Sequence, residues 1–420
     1  MCDTLFKKDN CNAVFGKNSD RSCNEPNLTV FVPAIEHNAA TVLCTYISIP
    51  QVKSTNACIL VKPSWMWGAE MGINEFSVAI GNEAVFTKKK NKTPSLTGMD
   101  YVRIALERGK TAEECLDIII TLLQEYSQGG NCGFDKNFYY DNSFLIADPS
   151  SAFILETAGK LYAARKIDKQ GNISNRLSLS GDYYKTNAPI SQSFSKTHSD
   201  TIYTHFSKSL MRQQAGERQL EQWIKTDVFS MMFTLQSHAT ERNLYTKGNV
   251  GSLCMHQSAL GDHTTGSMIV NLAHNYPTVW ITGCSTPCLS LYKPTYFGVI
   301  EGPLKTDEKE SLEFWLKREY LLRGIYAGHV NETKYRIRLL SLQSQWLQEE
   351  KRLRLSNAPK EDYEAFSKKA SKQEREFVEG YMDVICAVKN GELPLPKLWK
   401  KKTAALNKNV FARTLAERKV

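Results

Sequence analysis

The chain reads as an α+β protein in which a strand-rich stretch is followed by a helical one. Three observations predict this. Short apolar runs bounded by turn residues dominate positions 1–300. A few segments with helical periodicity interrupt them. From Glu301 onward the pattern changes to long, charged segments periodic in Leu, Ile, Tyr and Trp. At 420 residues the chain also exceeds the ~250–300 at which a single core stops growing. Two units are therefore expected, 1–300 and 301–420.

Thr4-Leu5-Phe6 and Asn12-Ala13-Val14-Phe15 flank a polar segment and predict a hairpin. Positions 29–32, 40–49, 57–61, 76–80, 143–147, 153–156 and 278–282 continue the strand pattern. Thr111-Ala112-Glu113-Glu114 is a capping-box sequence, and Leu116, Ile119, Ile120, Leu122 and Leu123 follow at helical spacing. A helix over 99–107 would precede it. Positions 200–224 and 228–236 are further helices, the second capped by Asp227. Helices over 310–323, 332–355 and 363–389 make up the C-terminal part. No internal repeat is present.

Composition narrows the function classes. A hydrophobic fraction of 42% and a charged fraction of 23% describe an ordinary soluble globular chain. No apolar run approaches the ~18–20 residues of a membrane span. Lys7, Lys8 and Asp9 follow the start too closely for an apolar leader, so a cytoplasmic location is expected. The eleven cysteines are odd in number and scattered, which favours reduced thiols. Cys284 and Cys288 are the closest pair, but lack the second pair or histidines of a zinc site. No metal and no cofactor are expected. The net charge of +9 is uneven: residues 301–420 carry 25 Lys and Arg against 18 Asp and Glu, and residues 1–300 the remaining 28 against 26. Such a basic excess suits a solvated helix face, or weak association with a membrane or vesicle surface; no nucleic acid is expected.

The chemistry starts at Cys2, directly after Met1. Removal of Met1 would leave a thiol and a free α-amine on one carbon. The thiolate is the strong nucleophile, and the amine, with a reference pKa of about 7.7–8.0, suits a general base. A frayed chain start would account for the same residue. After the second strand comes Gly16-Lys17-Asn18-Ser19-Asp20-Arg21, expected as a tight turn beside the chain start. There an aspartate could hold the amine and a cation could lower the thiol pKa.

Met1-Cys2-Asp3-Thr4 and Phe15-Gly16-Lys17-Asn18-Ser19-Asp20-Arg21, with Glu25, resemble the opening of the secernins. These belong with the dipeptidase-A-type cysteine peptidases in the N-terminal nucleophile hydrolase superfamily. The resemblance continues through Pro63-Ser64-Trp65-Met66-Trp67-Gly68-Ala69-Glu70, Val78-Ala79-Ile80-Gly81-Asn82-Glu83, Gly129-Gly130-Asn131-Cys132, Asn142-Ser143-Phe144-Leu145 and Asn172-Ile173-Ser174-Asn175. It thins after about residue 180, and the C-terminal helices carry none of it.

The resemblance implies an αββα four-layer sandwich with a C-terminal helical extension. It implies Cys2 as nucleophile, its own amine as base, and an acyl-enzyme. Lys17 takes the position of a family arginine, as a point charge rather than a fork. Asp20 would orient the amine. Asn82, expected at a strand end, and Asn175 would donate to an oxyanion. A later arginine of the bile-salt and penicillin relatives has no counterpart; the Gly266-Ser267-Met268 region carries methionine. Trp65, Met66, Trp67 and Glu70 could line a peptide pocket, or belong to the core. Two functions follow. One is a cysteine dipeptidase or amidohydrolase acting on a small peptide or linear amide. The other is a secernin-type regulator of exocytosis that keeps the hydrolase fold.

Overall fold

The computed structural model describes residues 1–258, 261–272, 276–299 and 308–416, with 409–416 through their backbone alone. The chain opens with the hairpin β1 (Cys2–Lys8) and β2 (Ala13–Arg21), then β3 (Asn27–Val32). Two small ribbons follow, built from β4 (Ile35–Glu36), β5 (Thr41–Leu43), β6 (Ser48–Pro50) and β7 (Ser54–Thr55). Next come β8 (Cys58–Pro63), β9 (Met71–Asn74), β10 (Ala79–Val85), α1 (Gly98–Arg108) and α2 (Ala112–Tyr126). After these run β11 (Asp141–Ala147), β12 (Ala152–Ala158), β13 (Leu161–Ile167), β14 (Gln170–Ile173) and β15 (Lys185–Thr186). Five helices follow: α3 (Phe194–His198), α4 (Thr201–Phe206), α5 (Ser209–Gln222), α6 (Val228–Leu235) and α7 (Leu244–Lys247). Strands β16 (His263–Asn271), β17 (Thr278–Ile281) and β18 (Lys293–Thr295) precede α8 (Glu308–Tyr326), α9 (Glu332–Leu355), α10 (Lys360–Glu379), α11 (Met382–Asn390) and α12 (Lys397–Ala416).

Among the described residues these strands form two main sheets. One has the order β14-β1-β2-β16-β17-β18, the other β15-β13-β12-β11-β10-β9-β8-β3, and every pair within them is antiparallel. Successive side chains on a strand point to opposite faces, so each sheet contributes one face to a shared interior. Phe6, Phe15, Met268 and Ile281 of the first sheet pack with Ile59, Met71, Val85 and Leu145 of the second. The outer faces are covered by helices. Leu5, Val14 and Ile269 belong with Leu220, Met231 and Leu235 of α5 and α6, and Ile80, Phe144 and Leu155 with Tyr101, Ile104 and Leu116 of α1 and α2. The architecture is an αββα sandwich. No helix among the described residues is long and apolar enough to cross a membrane.

Local signals account for much of this. Asp227 caps α6 by accepting from the Ser230 amide, as its position predicts. Thr111 caps α2 by accepting from the Glu114 amide, but Glu114 reaches back to the Lys110 amide instead of the cap residue's own. The complete capping box lies at Thr97 and Asp100, before α1.

Other expectations are corrected. The 40–49 stretch is a hairpin of β5 and β6 instead of one strand. The 76–80 strand begins later and runs to Val85, because Ser77, at φ 63°, turns the chain first. The helix expected over 200–224 breaks at Lys208, whose φ of 54° is left-handed, giving α4 and α5. The 363–389 helix ends at Gly380 and restarts as α11. Gly16 to Arg21 form no turn. They extend β2, paired to β1 on one side and β16 on the other, and this positions the site.

Candidate active site

Cys2 opens β1 opposite Ser19 of β2, and Thr4 sits opposite Lys17. Alternation places Cys2, Thr4 and Phe6 on the inner face of the sheet and Asp3 and Leu5 on the outer face. Cys2 is only 5% exposed yet lines a cavity of about 440 Å³. Its thiol lies 3.5 Å from Glu70 Oε2. Burial pushes the Cys2 thiol up to about 12; Lys17 pulls it down and Glu70 pushes the same way as burial. At neutral pH such a thiol stays protonated. The nucleophile therefore needs a base in place.

Three charges surround the thiol on the inner side. Lys17 is fully buried, and its Nζ lies 3.3 Å from Glu83 Oε1. Burial disfavours the ammonium, but the Cys2 thiolate, Glu83 and Glu70 outweigh it and raise the Lys17 pKa. Glu83 also accepts from the Thr4 hydroxyl, and burial lifts its carboxyl to about 7 against the pull of Lys17. Gly81 makes the room: a Cβ there would lie 2.5 Å from Lys17 Cδ and 2.8 Å from Thr4 Oγ1. Glu70 pairs with Arg21, which also holds Glu25 at 2.7 Å. Burial alone would raise the Glu70 pKa, but Arg21 and Lys17 hold it low.

On the outer face lies a group that the sequence did not reveal. Arg212 of α5 is fully buried. Its guanidinium donates to Cys2 O (3.1 Å), Asp3 Oδ2 (2.5 Å) and Asn175 Oδ1 (2.8 Å), and lies 3.8 Å from Asp20 Oδ2. Asp20 Oδ1 accepts from the Thr264 hydroxyl at 2.5 Å, while Oδ2 is buried and accepts no hydrogen bond. Burial raises the Asp20 carboxyl to about 7 despite the Met1 amine and Arg212. Met1 itself sits at the cavity, its amine donating to Asp20 O (2.5 Å) and Asp262 Oδ2 (2.7 Å).

Asn175 comes where β14 ends. Because Ile173 pairs with Thr4, Asn175 falls across from Cys2. Its Oδ1 accepts from the Cys2 amide at 2.8 Å, and its Nδ2 donates to Ala84 O at 2.9 Å. Two obligate donors on one atom and a carbonyl on the other fix the amide orientation. One Nδ2 hydrogen is left over.

Asn82 is placed differently from the expectation. It lies inside β10, not at a strand end. Gly81 and Glu83 face Lys17 and Thr4, so Asn82 turns to the opposite face. There its Nδ2 donates to Asn142 Oδ1 at 3.0 Å, and its backbone N–H is taken by Glu70 O. Neither Asn82 nor Asn175 lines the cavity, but Asn175 bonds the Cys2 amide and Asn82 does not. Of the other candidates, Glu70 lines it. Trp65 donates to Glu25, Met66 packs with Phe86 and Tyr140, and Trp67 lies under the Arg103 guanidinium. Met268 is a buried core residue opposite Lys17. The cavity walls are aromatic, with Phe86 against Phe138 and Tyr203, and Phe138 against Tyr140.

No family model matches the chain. Solved structures similar to it include a variant of conjugated bile acid hydrolase from Clostridium perfringens, at 10% identity over 66% of this chain and 88% of that one, with a TM-score of 0.40. An N-acylethanolamine-hydrolyzing acid amidase ortholog from Caenorhabditis elegans matches at 10% identity over 64% and 92%, TM-score 0.35. Penicillin V acylase from Agrobacterium tumefaciens matches at 10% identity over 67% and 82%, TM-score 0.35. At these values the likeness carries no argument, and the αββα architecture rests on the strand order and layers described above.

Proposed function

We propose that this protein is a cysteine amidohydrolase of the N-terminal nucleophile kind, acting on short peptides, with Cys2 as nucleophile once Met1 is removed. The observation that carries the reading is the set of groups around Cys2. Lys17 and Glu70 stand at its thiol, Asn175 and Arg212 at its backbone, and Asp20 beside the chain start; Cys2, Asp20 and Glu70 line an aromatic-walled cavity and the other three lie behind it.

In this mechanism the freed α-amine of Cys2 takes the thiol proton, and the thiolate attacks the scissile carbonyl carbon. Asp20 Oδ2, buried and accepting no hydrogen bond, and Asn175 Oδ1 hold the amine. The developing oxyanion accepts from the remaining Asn175 Nδ2 hydrogen, a donor worth about 3–4 kcal/mol. The ammonium then protonates the leaving amine as the C–N bond breaks. Water, deprotonated by the same amine, cleaves the thioester and restores the thiol. Lys17 stabilises the thiolate as a neighbouring cation.

Met1 resembles the end of a bound peptide, with its ammonium on Asp262. This favours substrates with a free amine and an apolar side chain, in keeping with the dipeptidase-type resemblance. The cavity volume suits a ligand of that size.

The test combines intact mass with a dipeptide panel. The expected result is a chain lacking Met1 that releases amino acids from dipeptides with an apolar first residue, and loses this in Cys2→Ala and Cys2→Ser. A purified chain that keeps Met1 and hydrolyses nothing across the panel would overturn the proposal in favour of a non-catalytic regulator with this fold.

A further inference from the structure

Away from this cavity, four side chains from three segments meet at one point. His238 follows α6, Cys254 and His256 lie ahead of β16, and Cys288 sits in a short 3-10 turn at Pro287–Leu289. His256 Nε2 lies 3.2 Å from His238 Nε2, 3.4 Å from Cys288 Sγ and 3.6 Å from Cys254 Sγ. All four donor atoms lie within 4.8 Å of one another. Cys254, His256 and Cys288 are buried, and the His238 side chain is 6% exposed.

Hydrogen bonding does not explain this arrangement. A ring nitrogen has a single in-plane hydrogen-bonding direction, yet His256 Nε2 faces three partners. A tetrahedral zinc ion does explain it. With Zn–N of about 2.0–2.1 Å and Zn–S of about 2.3 Å, the tetrahedron's edges are about 3.3 Å between nitrogens and about 3.5 Å between nitrogen and sulfur. The three distances at His256 match these edges. We propose that His238, Cys254, His256 and Cys288 bind zinc in a closed His2Cys2 site.

Two further features fit. His238 Nδ1 lies 2.7 Å from Glu241 Oε1, the carboxylate partner that metal-bound histidines commonly have. Two thiolates would neutralise the ion, so the buried centre carries no net charge. With four protein ligands no position is open for substrate, and the role is structural. The sequence spacing predicts no metal at Cys284 and Cys288, and the proposed site uses only the second of them. Cys284 stands apart, its thiol on Ser290 Oγ at 3.2 Å, whereas Cys288 finds its partners through folding.

The site would pin a segment that supports the β2 end of the cavity. Leu253 O accepts from Asn18 Nδ2, and the Met255 amide donates to Thr264 Oγ1, each at 2.8 Å. Thr264 Oγ1 donates in turn to Asp20.

The test uses the full chain, purified without a histidine tag. Metal analysis should find close to one zinc per chain, and X-ray absorption at the zinc edge should show two sulfur and two nitrogen neighbours. Cobalt(II) exchange should give tetrahedral visible bands with thiolate charge transfer. Cys254→Ser and Cys288→Ser should lose the metal, while Cys11→Ser, at an exposed thiol, keeps it. If the serine variants do not fold, Glu241→Gln still reports: zinc retention against a chelator should weaken about 10–100-fold. A wild-type chain without stoichiometric zinc, a zinc edge without sulfur, or unchanged retention in Glu241→Gln would each overturn the proposal.

Discussion

Replacing Arg212 with methionine is the sharpest test of how this site is held together. The guanidinium is fully buried and bonds Asp3, Asn175 and the Cys2 carbonyl, with Asp20 at 3.8 Å. Methionine fills similar volume but removes the side-chain cation paired with Asp3. Breaking a buried pair from one side leaves an uncompensated charge and costs about 3–5 kcal/mol. The cost should depend on pH. Burial already raises both Asp3 and Asp20 above their ordinary range, Asp20 to about 7, while Arg212 pulls both down. Without Arg212 both rise further. From about pH 4 to above pH 7 the folded variant then binds more protons than its unfolded chain, so its stability falls as pH rises through that window, and for Asp20 the gap from wild type opens above about 7. The variant's deficit, measured by urea unfolding followed through tryptophan fluorescence, should be largest near pH 8 and smallest near pH 4. Adding Asp3→Asn should recover part of it, because only Asp20 remains unbalanced. Peptide hydrolysis should not return with stability, since Asn175 has lost an anchor. A deficit under about 1 kcal/mol, or one that grows toward low pH, would refute the account of Arg212 as the counter-charge of this face.

Four other outcomes follow from the geometry. Gly81→Ala should cost about 1–3 kcal/mol by overpacking, because its Cβ would fall 2.5 Å from Lys17 Cδ; a chemical denaturation midpoint equal to wild type would contradict that packing. Glu70→Gln should lower the Cys2 thiol pKa, since Glu70 helps raise it, and so speed iodoacetamide labelling at fixed pH; an unchanged or slower rate would count against their coupling. Asn175→Ala should cut amide hydrolysis about 10²–10³-fold. Asn82→Ala should act on stability instead, by about 1–3 kcal/mol, through the orphaned Asn142 oxygen; equal kinetic losses in the two variants would erase the distinction.

What could be read from the chain was what local spacing encodes. Cys2, Lys17 and Asp20 lie within one hairpin, and strand pairing alone brings them together. Asp227 and Thr111 cap their helices because the capping oxygen acts on amides two or three residues away. Asn82 was misplaced through parity. Ending its strand at Ile80 hid the fact that Gly81 faces Lys17, and alternation then sends Asn82 to the other face. Arg212 left no signal, since it reaches Cys2 across 210 positions from an otherwise ordinary helix. The His2Cys2 cluster was hidden for the same reason: only Cys254 and His256 are neighbours in sequence, and zinc signatures are read from paired spacings.

The C-terminal helices, expected as an extension, share the core of the sheets. One continuous apolar cluster runs from Leu5 through Ile269 to Trp315, Trp346 and Trp399. Polar groups cross the same boundary. Trp315 donates to Thr265 O of β16, and Arg323 to Asn24 Oδ1 at 2.8 Å. Lys293 of β18 is buried against Glu374 of α10 at 2.7 Å, and Arg318 of α8 pairs with the same carboxylate. Burial lowers the Lys293 pKa against the pull of Glu374, so its charge depends on a residue some eighty positions later. Separating the helices from the sheets would strip Lys293 of its partner, while Arg318 and Glu374, both on the helices, would stay paired. The basic excess of this region is then only partly a solvated face. Arg318 and Arg323 serve as internal counter-charges, and Lys402 of α12 reaches the cavity rim, 4.0 Å from Asp135. A substrate entering over Lys402 and Asp135 would meet the C-terminal helices before it met Cys2, which places the extension in the wall of the proposed active site.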